Sequence, residues 1–324
     1  MLVKDQWEVY INWLETRKRN PAKGSTISAY RSYARTYILP ELGKMELSKL
    51  ENGAMKKFVA KLAEKNLSPA TIAAVTNCVK GIVASAMDDN GNELFPRKWN
   101  SSFIDAPPVE NQKAPIIQSK ALQEALERLS EPYRTLVIIL AASGLRIGEC
   151  LSLRVGVSEG SYWDREESKF VIRRGMWRGR EQSTKTPAGV REIDLCNELN
   201  DHLINRFGDK KEGFLFPVRL STAYNKIREV GVPGFHSLRR YRVTNLENQQ
   251  VPRTLVQFWI GHSGKEITDR YCRLDSDKLI RKEWAFKAGL NFPIPKANRS
   301  EDPTQTSKPL DEPKARGRSE EVSC

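Results

Sequence analysis

Leu136-Val137-Ile138-Ile139-Leu140-Ala141-Ala142-Ser143-Gly144-Leu145-Arg146-Ile147-Gly148-Glu149 is the stretch on which the fold turns. Its first seven residues form an unbroken apolar run, far shorter than a membrane span, that reads as a helix. Gly144 ends that helix in a turn, and Arg146 stands at the start of the next one. Taken singly, an arginine so placed is a surface or helix-capping residue, and the elements on either side are needed to read it further.

Upstream, the first hundred residues predict four helices. Val3, Trp7, Tyr10 and Leu14 recur at helical spacing. Asn20-Pro21 and Gly24 break that helix, and a second, bearing Ile27, Tyr30, Ala34 and Tyr37, is expected to stop before Pro40 and Gly43. Ser48 and Glu51 have capping-box spacing ahead of Met55, Phe58 and Leu62. Ser68-Pro69 caps a fourth helix through Ile72, Val75, Val79 and Val83. Pro107, Pro108 and Pro115 mark a linker.

Downstream, helices are expected from Ser119 and from about Pro132. Two strand-like runs follow, Phe170–Arg173 and Val190–Leu195, the latter with Arg191 pointing outward. More helices continue to about Leu290. The expected organisation is 1–105 for the helical domain, 106–118 for the linker, 119–292 for a mixed domain and 293–324 for a disordered tail. The tail holds five of the 17 prolines. The fold class is mainly α with a small antiparallel β-sheet.

Of the formal net charge of +13, residues 111–292 supply most, with 31 Lys and Arg against 22 Asp and Glu. Arginine outnumbers lysine 20 to 11 there, and its planar fork suits phosphate oxygens. A basic folded body of this kind points to a polyanion partner, most simply nucleic acid. The five cysteines lie at least 46 residues apart, which excludes a zinc module or a dense disulfide framework and suits a reducing, cytoplasmic setting. Neither secretion nor a membrane partner is expected.

Chemistry-bearing residues are sparse, since the chain has only three histidines. His236-Ser237-Leu238-Arg239-Arg240 puts an imidazole and a guanidinium on one helical face, and Gly261-His262-Ser263 follows. Tyr271 stands nine residues beyond His262. Thr184-Lys185-Thr186-Pro187-Ala188-Gly189-Val190-Arg191 reads as a turn joining two strands. Singly, each has an ordinary structural reading. In this order they are specific.

The series Arg146, Lys185, His236-x-x-Arg239, Gly261-His262 and Tyr271 resembles the tyrosine recombinase family, the phage-type integrases, over nearly the whole chain to about residue 290. The N-terminal helices, with Ser25-Thr26-Ile27-Ser28-Ala29-Tyr30 and Leu39-Pro40-Glu41-Leu42-Gly43, are similar to that family's SAM-like core-binding domain. The resemblance implies an α+β catalytic domain. It implies Arg146 and Arg239 as a clamp on the scissile phosphate, Tyr271 as nucleophile, His236 as proton acceptor, His262 as phosphate or tyrosine partner, Lys185 as general acid, and Glu149 as orienting partner. Two permanently charged, bidentate donors suit a phosphodiester that gains charge as it is attacked.

Lys169 is the rival to Lys185, which is preferred for the Thr-Pro-Ala-Gly-Val-Arg sequence that follows it. Arg173, Arg174, Arg178, Arg180 and Arg240 are candidate DNA-backbone contacts. The resemblance further implies double-stranded DNA as partner, a tetramer of this chain on two sites, an accessory directionality factor, and a 3′-phosphotyrosyl intermediate that needs neither ATP nor metal. The implied role is integration or excision of a mobile element, in the cytoplasm with the DNA. The apolar patch Leu279, Ile280, Trp284 and Phe286 is expected to dock on a neighbouring subunit, and a separate arm-site domain is expected to be absent. A type IB topoisomerase-like relaxase and a non-catalytic DNA-binding relative are the alternatives.

Overall fold

The computed structural model describes residues 1–109, 114–184, 187–262 and 277–295. The chain divides into two units, Met1–Lys113 and Ala114–Cys324. In the first, the helices are α1 (Val3–Thr16), α2 (Gly24–Tyr33), α3 (Leu39–Leu42), α4 (Asn52–Glu64), α5 (Pro69–Ala84) and α6 (Ser101–Ile104). The α1 stripe of Val3, Trp7, Tyr10 and Leu14 is buried, in one core with Met55, Phe58 and Leu62 of α4 and Ile72, Val75, Val79 and Val83 of α5. Ser68 caps α5 by accepting from Thr71 N at 3.2 Å.

Two local expectations fail. The second helix does not stop before Pro40: a wide π-turn, Ala34–Ile38, carries it into α3, and the helical run stops only before Gly43. The turn makes a fresh first helical turn in which Pro40 has no intrahelical donor to lose. Ser48 does not cap α4, because it lies in a 3₁₀ turn, Leu47–Lys49, and bonds Glu46 instead. Glu51 occupies the N-cap without a side-chain bond.

The second unit contains α7 (Ser119–Arg128), α8 (Tyr133–Ser143), α9 (Ile147–Leu151), β1 (Leu153–Val155), β2 (Ser161–Asp164), β3 (Lys169–Ile172), β4 (Arg174–Trp177), β5 (Arg180–Ser183), β6 (Arg191–Asp194), α10 (Asn197–Phe207), α11 (Leu220–Glu229), α12 (Phe235–Asn248), α13 (Arg253–Ile260) and α14 (Lys278–Ala288). Every residue of α8 from Arg134 to Ser143 is buried, which is why its apolar run shows no periodicity. Burying each large aliphatic there contributes about 1.5–3 kcal/mol. The helix packs on α12, α7, α9 and α11, so the arginine-bearing turn at its end is held by a buried helix.

The two strands anticipated from the sequence are β3 and β6, and they pair antiparallel. They belong to a four-stranded sheet ordered β1-β2-β3-β6 in which β1 and β2 run parallel. A separate hairpin, β4–β5, carries the basic run Arg174, Arg178 and Arg180. Ser161 turns the chain into it: its hydroxyl accepts from Arg173 N and Arg174 N at 3.0 and 2.9 Å and donates to Arg174 O. The Thr184–Arg191 stretch therefore joins strands of two different sheets, β5 and β6. Among the described residues no helix is long and apolar enough to cross a membrane. The tail expected to be disordered lies outside the described residues from 296 onward.

Candidate active site

Two helix ends deliver the site. Gly144 ends α8 and Gly261 ends α13, both in the left-handed conformation (φ +68° and +71°) that glycine adopts without strain. Each turn is followed at once by a candidate residue, Arg146 in one case and His262 in the other. The α12 helix supplies the rest from its first turns, with His236 exposed and Arg239 buried.

Arg239 ties these segments together. Its Nη1 donates to Gly144 O at 2.8 Å and its Nη2 to Ile260 O at 2.6 Å, two residues before Arg146 and two before His262. Burial, with Arg146 beside it, pushes Arg239 down to about 9, so it stays charged at neutral pH. Arg146 caps α9 and is partly exposed. Its backbone N and its Nη1 donate to the two carboxylate oxygens of Glu149 at 3.0 and 2.8 Å.

Glu149 is buried, which alone would raise its carboxyl. Arg191 and Arg146 outweigh that and hold it below the usual carboxylate range. Both histidines are held below the ordinary imidazole range, first by burial and then by cations. These are Arg240, Arg239 and Arg146 for His236, and Arg239, Arg146 and Arg191 for His262. Neutral imidazoles can accept a proton or a hydrogen bond at pH 7. The cleft is thus a set of permanent cations around two neutral bases.

Four candidates, Arg146, His236, Arg239 and His262, are brought together with Glu149. Lys185 and Tyr271 lie outside the described residues. Lys169, the other lysine weighed, is committed to Glu192 at 2.8 Å. The third histidine, His202, is half-buried against Thr135 Oγ1 at 3.1 Å, and its partial burial with Arg206 and Arg134 nearby lowers it to about 4, a structural environment.

Arg191 corrects the sequence reading. It was expected to point outward, yet its side chain is 1% exposed. Residues two apart on a strand share a face, so Arg191 goes inward with Ile193. There Nη2 and Nη1 meet Glu149 at 3.0 and 3.4 Å, Nη1 reaches Gly189 O, and Nε reaches Trp259 O at 2.6 Å. The strand's period of two was the signal that could have found it.

The β4–β5 hairpin lies against α9, where Gly148 allows close approach: a Cβ there would stand 2.8 Å from Met176 O. Arg174, Arg178 and Arg180 are exposed on it, with Arg178 stacked over Trp177. Arg173 is also exposed but bonds Ser158 O at 2.9 Å, and Arg240 bonds Pro115 O at 2.9 Å.

Residues 117–278 match the phage integrase family, and residues 7–63 match the phage integrase N-terminal SAM-like domain. A tyrosine recombinase XerC-like protein of Caldanaerobacter subterraneus subsp. tengcongensis is 24% identical over 305 residues, covering 79% of this chain and 75% of that one. In structure, the chain is similar to the Tn1549 transposon integrase solved with transposon right end DNA. The TM-score is 0.62 at 18% identity, over 87% of this chain and 99% of that one. A lambda integrase tetramer bound to a Holliday junction matches with a TM-score of 0.55 at 13% identity, over 84% of this chain and 77% of that one.

Proposed function

This chain belongs to the phage integrase family and is a tyrosine-type, site-specific DNA recombinase, and from that premise we propose that Tyr271 is the nucleophile attacking a scissile phosphate held by Arg146 and Arg239. The Tyr271 Oη–P bond forms as the P–O5′ bond breaks. The phenolic proton passes to His236, and Lys185 protonates the leaving 5′ oxygen. The products are a 3′-phosphotyrosyl enzyme and a free 5′-hydroxyl. Religation to another strand reverses each transfer, so no ATP or metal enters the balance.

The observation that carries this reading is the pair of carbonyl bonds from Arg239 to Gly144 and Ile260. They give one charged group, beside the neutral His236, fixed contact with the turns bearing Arg146 and His262. Arg146 and Arg239 would stabilise the charge that grows on the non-bridging oxygens, and His262 would hold the same phosphate. Glu149 orients Arg146.

The partner is double-stranded DNA, and the assembly a tetramer of this chain. Support comes from the lambda integrase tetramer on a Holliday junction, whose fold this chain shares. Leu279, Ile280 and Phe286 are exposed on α14 and would meet a neighbouring subunit. Trp284 is half-buried against this chain's own core. Integration or excision of a mobile element, at the cell's own DNA, is supported by the likeness to the Tn1549 transposon integrase.

A nicked suicide substrate incubated with the protein in EDTA tests the chemistry. A denaturant-resistant protein–DNA adduct is expected, and Tyr271→Phe is expected to abolish it while DNA binding persists. An adduct that survives Tyr271→Phe removes Tyr271 as nucleophile, and a requirement for magnesium points to a metal-dependent nuclease.

A further inference from the structure

Arg191 binds three segments at once without being able to reach DNA. Its fully buried guanidinium meets Glu149 beside the Arg146 turn, Trp259 O just before the Gly261-His262 turn, and Gly189 O in the stretch leading into β6. The fit is close: a Cβ on Gly261 would lie 2.9 Å from Arg191 Nη1. The guanidinium is therefore wedged beneath the turn that carries His262.

Its effect on Arg146 follows from the donor count at Glu149. One carboxylate oxygen takes Arg146 Nη1 at 2.8 Å and Arg191 Nη1 at 3.4 Å. The other takes Arg146 N and Arg191 Nη2, both at 3.0 Å. With Arg191 in place, Arg146 makes a single side-chain bond to Glu149 and keeps its remaining N–H groups for a ligand. Without Arg191, each oxygen loses a competing guanidinium donor and Arg146 could close a two-pronged side-chain grip on the carboxylate, the strongest geometry for that pair. A buried carboxylate that has lost a cation also tends to take up a proton, which releases Arg146 altogether.

We infer that Arg191 is a positioning residue for DNA cleavage, sharing Glu149 with Arg146 so that Arg146 stays free for phosphate while the His262 turn is braced against the same carboxylate. This rests on the recombinase reading above. The charged and titratable groups facing Glu149 are Arg146 from the α8–α9 turn, Arg191 from β6, Arg239 from α12, and the adjacent Cys150 thiol. In the intact protein Arg191 and Arg146 keep Glu149 ionised. Once Arg191 is gone, burial raises the carboxyl, so its hold on Arg146 is lost at a higher pH as the solution is acidified.

The test is the pH profile of adduct formation on the suicide substrate, with thermal melting alongside. Arg191→Met is expected to slow cleavage about 100-fold, as an ångström-scale misplacement does, and to move the acid limb upward. Arg191→Lys keeps the charge and is expected to keep the limb in place even where melting falls. Glu149→Gln added to Arg191→Met is expected to remove the moved limb. A limb that persists in the double variant belongs to the histidines and overturns the inference. So does a limb unmoved in Arg191→Met, or one moved equally in Arg191→Lys. Arg191→Gln serves as the uncharged variant if Arg191→Met does not fold. A wild-type protein that forms no adduct sinks the recombinase reading itself, a separate result.

Discussion

Arg239 and Arg281 are both buried, at 3% and 1% exposure, yet they are held in opposite ways. Arg281, on α14, donates its Nε to Asp194 at 2.9 Å and its Nη2 to Glu192, and lies over the Phe258 ring. Its charge is answered by two carboxylates. Arg239 donates to two main-chain carbonyls, and among the described residues no carboxylate accepts a hydrogen bond from it. Carbonyl dipoles stabilise a guanidinium without cancelling its charge, so Arg239 retains a positive field for an anion. Burial alone would have grouped the two residues; the nature of their partners separates an anchor from a guanidinium whose charge is left available to an anion.

The largest effect should come from breaking the anchor. Arg281→Met leaves Asp194 and Glu192 without their shared cation, and breaking a buried pair costs about 3–5 kcal/mol. Urea denaturation should show that loss, tempered by Trp259 Nε1 and Lys169, which still bond Asp194 and Glu192. Cleavage per folded molecule should suffer less than stability. Arg239→Met should do the reverse. Loss of a donor to developing charge costs about 10²–10³ in rate, read as adduct formation under single-turnover conditions. If Arg239→Met proved no worse in cleavage than Arg281→Met at equal folded fraction, the distinction by partner would be wrong.

The same contrast accounts for what was legible in the chain. Two helix ends were readable because glycine adopts the left-handed turn without strain: Gly144 and Gly261 each close a helix just before a candidate site residue. His236 and Arg239 were readable because spacing on α12 puts them on one face. β1 spans only three residues and β2, Ser161–Asp164, shows no apolar–polar alternation, so neither stood out. Arg191 is harder to read because its charge argues for the surface while strand parity argues for the interior, and its carboxylate partner sits 42 residues earlier. The Ser48–Glu51 spacing misled in the opposite way, as a valid local pattern overridden by the 3₁₀ turn that holds Ser48. Partnerships across long sequence separations are the part a linear reading recovers least.

The smallest effect, and the sharpest extension of the comparison, lies on the surface. Arg180 begins β5 and makes no side-chain hydrogen bond or ion pair among the described residues, whereas Arg173 is exposed but engaged with Ser158 O and stacked on Tyr162. A guanidinium with no protein partner pays little to meet a phosphate; one already bonded must first give up its contacts. Arg180→Ala should weaken DNA binding to a similar degree on every sequence and reduce the salt slope of log K by about 1, the signature of one phosphate contact. Arg173→Ala should change the slope less. Titrations of labelled duplex at several salt concentrations separate these outcomes. Equal slopes for the two variants would mean that existing partners do not predict availability at the surface, confining the rule drawn from Arg239 and Arg281 to the interior, where desolvation makes each partner count.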